Sequence, residues 1–259
     1  MSASRVDVEI VGEGRDLVLL HSLLSDRTSF EPLAARIGEE RRLILVSLPG
    51  FGHSPRVGPA LSDYADAVAA AFDALALPRE TDVLGNGLGG FVALALASLH
   101  GGRFACMVLV GSAIEFPETG RATFRALADK VEREGMGAVA EAAMRRMFPE
   151  PFIASNPEMV AGREAAFRRI DPAVFAAACR MLAALDLAEQ LARVRNPTLI
   201  AVGAEDQATP PALGRALADR LPNARLVELP GLGHCPHIQD PDAFVAAVAP
   251  FLGPQADRS

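Results

Sequence analysis

Short, almost uninterrupted apolar runs alternate with longer stretches of helical periodicity, and this alternation limits the fold more than any other feature of the chain. From the second run onward, apolar residues follow one another instead of alternating with polar ones, which predicts strands buried on both faces. Such strands, separated by helices, are typical of a doubly wound, mostly parallel and twisted α/β sheet. The predicted strands are 6–11, 17–20, 43–46, 82–84, 106–110, 198–202 and 225–229, and the longer predicted helices are 60–77, 90–99, 211–221 and 241–251.

One stretch interrupts the alternation, because residues 116–194 contain Ala-, Arg- and Met-rich helical patterns and no predicted strand. Ligands bind beyond the carboxyl ends of the strands in such sheets, so inserted helices are well placed to act as a lid. An extra helical layer that only completes the core would show the same pattern. We predict an α/β core formed by residues 1–115 and 195–259 and a helical lid, or cap, formed by residues 116–194.

Composition excludes several classes of protein. The 259 residues are 50% hydrophobic and carry a net charge of -7, which favours a folded chain and gives no dominant basic surface for nucleic acid. The three cysteines lack the spacing of a disulfide framework or a zinc site, and no apolar stretch is long enough to span a membrane. The first residues lack the apolar segment of a signal peptide. We therefore expect a cytoplasmic protein with a small-molecule substrate, no nucleic-acid or membrane partner, no metal and no organic cofactor.

A glycine-dense turn follows the fourth predicted strand. Gly85 and Gly89 occupy the outer positions of the G-x-S-x-G nucleophile elbow, but the nucleophile position is Gly87. Glycine adopts the positive φ of that position without strain, yet it has no side chain that can attack a carbonyl. Gly85, Gly87 and Gly90 also match the G-x-G-x-x-G dinucleotide fingerprint. That alternative requires an acidic residue at the end of the next strand, 106–110. The first acidic residue after this strand is Glu115, which follows Gly-Ser-Ala-Ile and so lies beyond the expected place.

An acid and a histidine follow the last two predicted strands. Asp206 lies in the loop after strand 198–202, and His234 follows strand 225–229. The order nucleophile position, acid, histidine, with each member just after a strand, is that of the α/β hydrolases. Histidine accepts and returns a proton near neutral pH, and the carboxylate fixes its tautomer. Asp206 and His234 are thus the predicted catalytic acid and base, although a capping aspartate and a packing histidine are the structural alternatives.

The turn after strand 17–20 is predicted to complete the site. In a hydrolase elbow, one backbone N–H of the oxyanion hole comes from this turn and the other from the residue after the nucleophile. The matching positions are Leu23, or alternatively Ser22, and Leu88. Since the donors are backbone groups, side-chain identity does not decide between them.

Five segments together carry a family resemblance: LLHSLLSD, LPGFGHS, VLGNGLGG, VGAEDQATPP and LPGLGHCPHIQDP. The chain resembles the α/β-hydrolase superfamily along nearly its whole length, and the predicted lid with its exit is similar to that of 3-oxoadipate enol-lactonases. This resemblance implies a hydrolase of a lactone, an ester or a small carboxylic acid derivative. It further implies that a lid arginine meets a substrate carboxylate.

The sequence departs from this family at three places. The family has serine where Gly87 stands, the pair His-Gly is common where His21-Ser22 stands, and an acid is often found where Ser47 stands. The chain is therefore an inactivated hydrolase, a paralogue in which His234 activates water or abstracts a substrate proton as in a lyase or isomerase, or a ligand-binding protein on a hydrolase scaffold. We expect the imidazole to face an empty space at residue 87, and Gly87→Ser to create esterase activity.

Overall fold

The strands of the sheet lie close to the predicted positions. The structure, a computed structural model, describes residues 6–252. Its strands are β1 (Val8–Val11), β2 (Arg15–Leu20), β3 (Arg41–Val46), β4 (Asp82–Asn86), β5 (Met107–Val110), β6 (Thr198–Gly203) and β7 (Ala224–Leu229). They form one sheet in the order β1-β3-β2-β4-β5-β6-β7, in which β1 is antiparallel to β3 and the other pairs are parallel. The predicted α/β fold class is confirmed.

Helices cover both faces of this sheet. In the described residues they are α1 (Glu31–Ile37), α2 (Leu61–Ala74), α3 (Leu88–His100), α4 (Glu118–Glu134), α5 (Ala140–Met147), α6 (Glu150–Ser155), α7 (Pro157–Arg168), α8 (Pro172–Ala183), α9 (Ala188–Leu191), α10 (Pro211–Arg220), α11 (Pro236–Gln239) and α12 (Pro241–Val248). Val18 and Leu20 of β2 belong to the core that contains α2 and α3, whereas Leu17 and Leu19 belong to the core that contains α1 and α12. This division explains the continuous apolar runs, because successive side chains enter opposite cores.

The predicted burial of both faces was wrong for the last strand. β7 lies at the edge of the sheet and pairs with β6 alone. Arg225 is exposed, and Leu226 retains 36% of its accessible surface. The apolar run alone does not reveal that its strand has a neighbour on one side only.

The segment between β5 and β6 contains helices α4 to α9, as predicted, and we call it the helical insertion. An isolated antiparallel bridge between Glu115 and Asp186 joins its two ends. Phe124 of α4 and Phe175 of α8 belong to the same core as α2 and α3, so the insertion packs onto the α/β core without a separate hydrophobic interior. The division into core and lid domains stays a prediction. None of the helices within residues 6–252 is long and apolar enough to cross a membrane.

Candidate active site

Four turns meet at the edge of the sheet where the parallel strands end. They follow β2, β4, β6 and β7 and carry Ser22, Gly87, Asp206 and His234, respectively. Asp206 Oδ2 lies 2.9 Å from His234 Nδ1, and His234 Nε2 lies 3.3 Å from Ser22 Oγ. The side chains of Ser22, Asp206 and His234 are all buried. The structure thus brings the predicted acid, base and nucleophile position together.

The carboxylate of Asp206 is held by its own loop. Its Oδ1 accepts hydrogen bonds of 2.8 Å from the backbone N–H groups of Ala208 and Thr209, which leaves Oδ2 for His234. A carboxylate at Nδ1 selects the tautomer that carries its proton there. Nε2 of His234 is therefore the free basic nitrogen, and it faces Ser22.

The loop that carries His234 is fixed from two sides. The backbone N–H of His234 donates to Met147 O of the helical insertion at 3.0 Å. The backbone carbonyl of His234 accepts a 2.9 Å hydrogen bond from Asn86 Nδ2. Asn86 is fully buried and its amide also donates to Val110 O at 3.3 Å. Sequence reasoning missed Asn86, because an asparagine between two glycines is common in any turn. Its role is to join the glycine turn to the histidine loop.

The glycine turn has the geometry of a nucleophile elbow. Gly87 has φ 52° and ψ -114° and immediately precedes α3. A Cβ at Gly89 would lie 2.0 Å from Leu20 O, so strand and helix approach too closely for any side chain there. The positive φ predicted for Gly87 and the need for a flanking glycine are both observed.

The expected empty space at residue 87 was wrong, because another side chain fills it. A Cβ built on Gly87 would lie 2.7 Å from Ser22 Oγ and 2.8 Å from His234 Nε2. Both distances are shorter than normal van der Waals contacts. The Ser22 hydroxyl and the imidazole have closed over the position that a residue-87 side chain would use. The dinucleotide alternative also lacks its acidic residue, because β5 ends at Val110 and is followed by Gly111 and Ser112.

His21 positions the turn that carries Ser22. Leu48 N–H donates to His21 Nε2 at 3.1 Å, so His21 Nδ1 carries the proton and donates to Ser22 O at 2.9 Å. Burial lowers the pKa of His21 to about 4, which keeps the ring neutral at neutral pH. Gly89 N–H donates to His21 O at 3.0 Å and joins this turn to the elbow. His21 is thus a positioning residue rather than a base.

Two backbone amides at this site have no acceptor. Leu88 is the first residue of α3, where an N–H has no intrahelical partner, and Leu23 directly follows Ser22. Neither amide donates a hydrogen bond to another residue in the described part of the chain. Both residues line a cavity of about 30 Å³ together with Ser22, Gly87 and His234. Unpaired amides beside a base are what an oxyanion hole requires.

A single arginine of the helical insertion lines the same cavity. Arg146 of α5 is half-buried, and within residues 6–252 its guanidinium has no hydrogen bond and no ion pair. Burial lowers the pKa of Arg146, while Asp206 and Cys179 act in the opposite direction. An arginine keeps its charge in proteins, so an unpaired cation faces the site. The sequence predicted a lid arginine here without indicating which one.

A family model described as the alpha/beta hydrolase family matches residues 17–247, a range that contains every residue of this site. The chain belongs to the alpha/beta hydrolase family. It is 32% identical to a pimeloyl-[acyl-carrier protein] methyl ester esterase of Aeromonas salmonicida over 259 aligned residues, 96% of this chain and 99% of that protein.

Solved structures give the same assignment. The enol-lactonase from Burkholderia xenovorans LB400 is 28% identical, with a TM-score of 0.89 over 95% of this chain and 96% of its own. A thermophilic esterase from Thermogutta terrifontis, determined with malate bound, is 28% identical, with a TM-score of 0.88 over 98% of this chain and 94% of its own. The resemblance to enol-lactonases is confirmed.

Proposed function

We propose that this hydrolase cleaves small carboxylic esters, lactones included, with His234 as general base, Asp206 as its orienting acid and the amides of Leu23 and Leu88 as oxyanion hole. One observation carries the proposal: the 2.9 Å bond between Asp206 and His234 leaves Nε2 facing the cavity that two unpaired amides line. The relatives named above are esterases and a lactonase, which supports the reaction class.

The arrangement suits acyl transfer. Attack on an ester carbonyl places negative charge on the carbonyl oxygen, and the two amides would receive that charge. Each oxyanion donor contributes about 10²–10³-fold to turnover in serine hydrolases, and a well-placed general base contributes about 10²–10⁴-fold. A protein that only binds a ligand needs neither a base with a fixed tautomer nor free amides beside it, which favours catalysis over the binding alternative.

The unpaired Arg146 narrows the substrate class. We propose that its guanidinium binds a carboxylate on the substrate, so that the preferred ester or lactone carries a second, ionised acid group. The other cavity walls are largely apolar and include Phe91, Phe116 and Phe124. The malate bound to the Thermogutta terrifontis esterase supports an anionic ligand in this fold. Without such a ligand, a half-buried guanidinium that has no hydrogen-bond partner destabilises the fold.

The proposed function is tested with p-nitrophenyl acetate. The protein should hydrolyse it above the buffer rate, and His234→Ala should lower kcat/KM by about 10²–10⁴-fold through loss of the base. His100→Ala, which changes a histidine bound to Asp66 at the far end of α3, is the control and should retain activity within about twofold. Absence of turnover, or equal effects of the two variants, would refute hydrolysis by this site.

The substrate class is tested at Arg146. Arg146→Gln should raise KM for a monomethyl dicarboxylate by about 10–100-fold, the value of a charged hydrogen bond, and leave KM for the uncharged dimethyl ester nearly unchanged. Arg145→Gln is a matched control, because Arg145 is exposed and already donates a 3.0 Å hydrogen bond to Glu141. If both esters lose affinity equally, Arg146 supports the fold of the insertion instead of binding an anion.

A further inference from the structure

Ser22 has the contacts of an activated hydroxyl. Its Oγ lies 3.3 Å from His234 Nε2 and accepts a 3.3 Å hydrogen bond from Leu24 N–H. Because Asp206 keeps the imidazole proton on Nδ1, Nε2 can only accept, so the Ser22 hydroxyl donates to it. Ser22 is 1% exposed and lines the cavity. Ser22, His234 and Asp206 therefore form a continuous chain of hydrogen bonds.

We infer that Ser22 is the nucleophile of this enzyme, so that the serine has moved from the elbow to the neighbouring turn. The inference deepens the proposed function and rests on it. Ser22 stands where the family commonly has the glycine of His-Gly, and Gly87 stands where the family has the elbow serine. Serine and glycine are thus exchanged between these two positions. The structure shows why the exchange is coupled: Ser22 Oγ lies 2.7 Å from where a Cβ of residue 87 would be. Both side chains cannot occupy this space in their present geometry.

In both turns the potential nucleophile directly precedes a proposed oxyanion donor in the sequence, although Gly87 has a positive φ and Ser22 does not. At the elbow, Gly87 is followed by Leu88, and in the other turn Ser22 is followed by Leu23. Each potential nucleophile thus precedes one of the two unpaired amides. A carbonyl carbon in contact with Ser22 Oγ can therefore direct its oxygen between the same two donors, and the machinery needs no other change. The hydrogen bond from Gly89 N–H to His21 O holds the two turns in register.

The reaction proceeds in two balanced steps. Ser22 Oγ forms a bond to the ester carbonyl carbon while its proton passes to His234 Nε2, and the carbonyl oxygen becomes an oxyanion. When the carbon–oxygen bond to the alcohol breaks, the alcohol takes that proton and an acyl-Ser22 remains. Water then attacks the acyl carbon and gives one proton to His234. The bond between the acyl carbon and Ser22 Oγ then breaks, Oγ takes the proton back from His234, and the carboxylic acid is released.

A structural role for the hydroxyl makes a different prediction. On that alternative Ser22 only satisfies Nε2, and His234 activates a water directly. Such a water would lie in the cavity that Ser22, Gly87 and His234 line. A water mechanism forms no covalent intermediate, whereas the serine mechanism must form one. Covalent labelling therefore separates the two.

The test uses the full-length protein with a fluorophosphonate ester and peptide mass spectrometry, beside hydrolysis of p-nitrophenyl acetate. We expect one adduct on Ser22, no adduct in Ser22→Ala or His234→Ala, and a fall in kcat of Ser22→Ala by about 10³-fold or more. Ser25→Ala is the matched control in the same turn, because its hydroxyl lies 3.5 Å from Ser22 O and has no bond to His234. It should keep the adduct and the activity.

The outcomes distinguish this inference from the proposed function. If the protein hydrolyses esters through His234 but carries no adduct, and Ser22→Ala keeps its activity, the nucleophile assignment is overturned and the hydrolase proposal stands. If Ser22 is labelled but no ester is turned over, the hydroxyl is activated and the proposed function is overturned. Absence of both labelling and turnover overturns both.

Discussion

Returning the serine to the elbow, by Ser22→Gly together with Gly87→Ser, should give an ester hydrolase at least as active as the native chain. Ser22→Gly alone should lower kcat/KM by about 10³-fold or more, because it removes the hydroxyl. Gly87→Ser alone places a Cβ 2.7 Å from Ser22 Oγ and 2.8 Å from His234 Nε2. The double variant removes the first of these clashes, so it should exceed Gly87→Ser by about tenfold or more.

The four proteins form a double-mutant cycle, measured as kcat/KM for p-nitrophenyl acetate. Thermal unfolding of each variant separates lost chemistry from lost structure, and His234→Ala added to the double variant should abolish its activity. The fluorophosphonate adduct should move to residue 87. If Ser22→Gly leaves the rate unchanged, or if the two substitutions act independently, the coupling between these positions does not exist.

The effect of Gly87→Ser that the sequence indicates stays a prediction. An absent serine suggests that Gly87→Ser by itself creates an esterase. The structure adds that Ser22 already fills the space, so the single change first has to displace its hydroxyl and move the imidazole. The effect of residue 87 therefore depends on residue 22.

The fold was predictable because its determinants are local and repeated. Each buried strand leaves an apolar run in the sequence, and parallel strands necessarily end at a common edge. Loops after β4, β6 and β7 could thus be expected to meet, which placed Gly87, Asp206 and His234 in one site. The edge position of β7 was not predictable, since an apolar run does not report how many neighbours its strand has.

The rest of the site depends on side-chain contacts between distant segments. Ser22 was considered in the sequence only as a backbone donor, because its hydroxyl matters only when it meets His234 and finds no side chain on Gly87. Arg146 is one of many arginines in the insertion and differs from Arg145 in being half-buried and in facing the cavity without a partner. Both roles are set by packing, which no local pattern encodes.

The base and the two free amides constrain the position of a substrate carbonyl more than the turn that carries the hydroxyl does. A base with a fixed tautomer and a pair of free amides define where a carbonyl must lie. Ser22 and residue 87 approach that place from neighbouring turns, which His21 and Gly89 hold together at 3.0 Å. A nucleophile can therefore change its turn while the acid, the base and the oxyanion hole stay in place.

The second large effect is expected at the acid. Asp206→Asn should lower kcat/KM by about 10⁴-fold, the loss seen when the equivalent aspartate of a serine protease becomes asparagine. The two N–H donors of Ala208 and Thr209 select the amide oxygen of the new side chain, which turns its NH₂ group toward His234. Nδ1 must then accept a hydrogen bond, so the proton moves to Nε2. An imidazole protonated at Nε2 cannot take the proton of Ser22.

Asp186→Asn is the matched control, because Asp186 Oδ1 accepts a 3.0 Å hydrogen bond from Ala188 N–H and, within residues 6–252, its carboxylate bonds no histidine. It should stay within about twofold of the native rate, since it is an exposed position away from the acid and base. Asp206→Asn should also suppress labelling of Ser22 while the protein stays folded, because the substitution changes only the tautomer of His234. Retention of more than about one tenth of the activity would mean that His234 reaches the required tautomer without the carboxylate, and the hydrogen-bond chain from Asp206 to Ser22 would no longer account for catalysis.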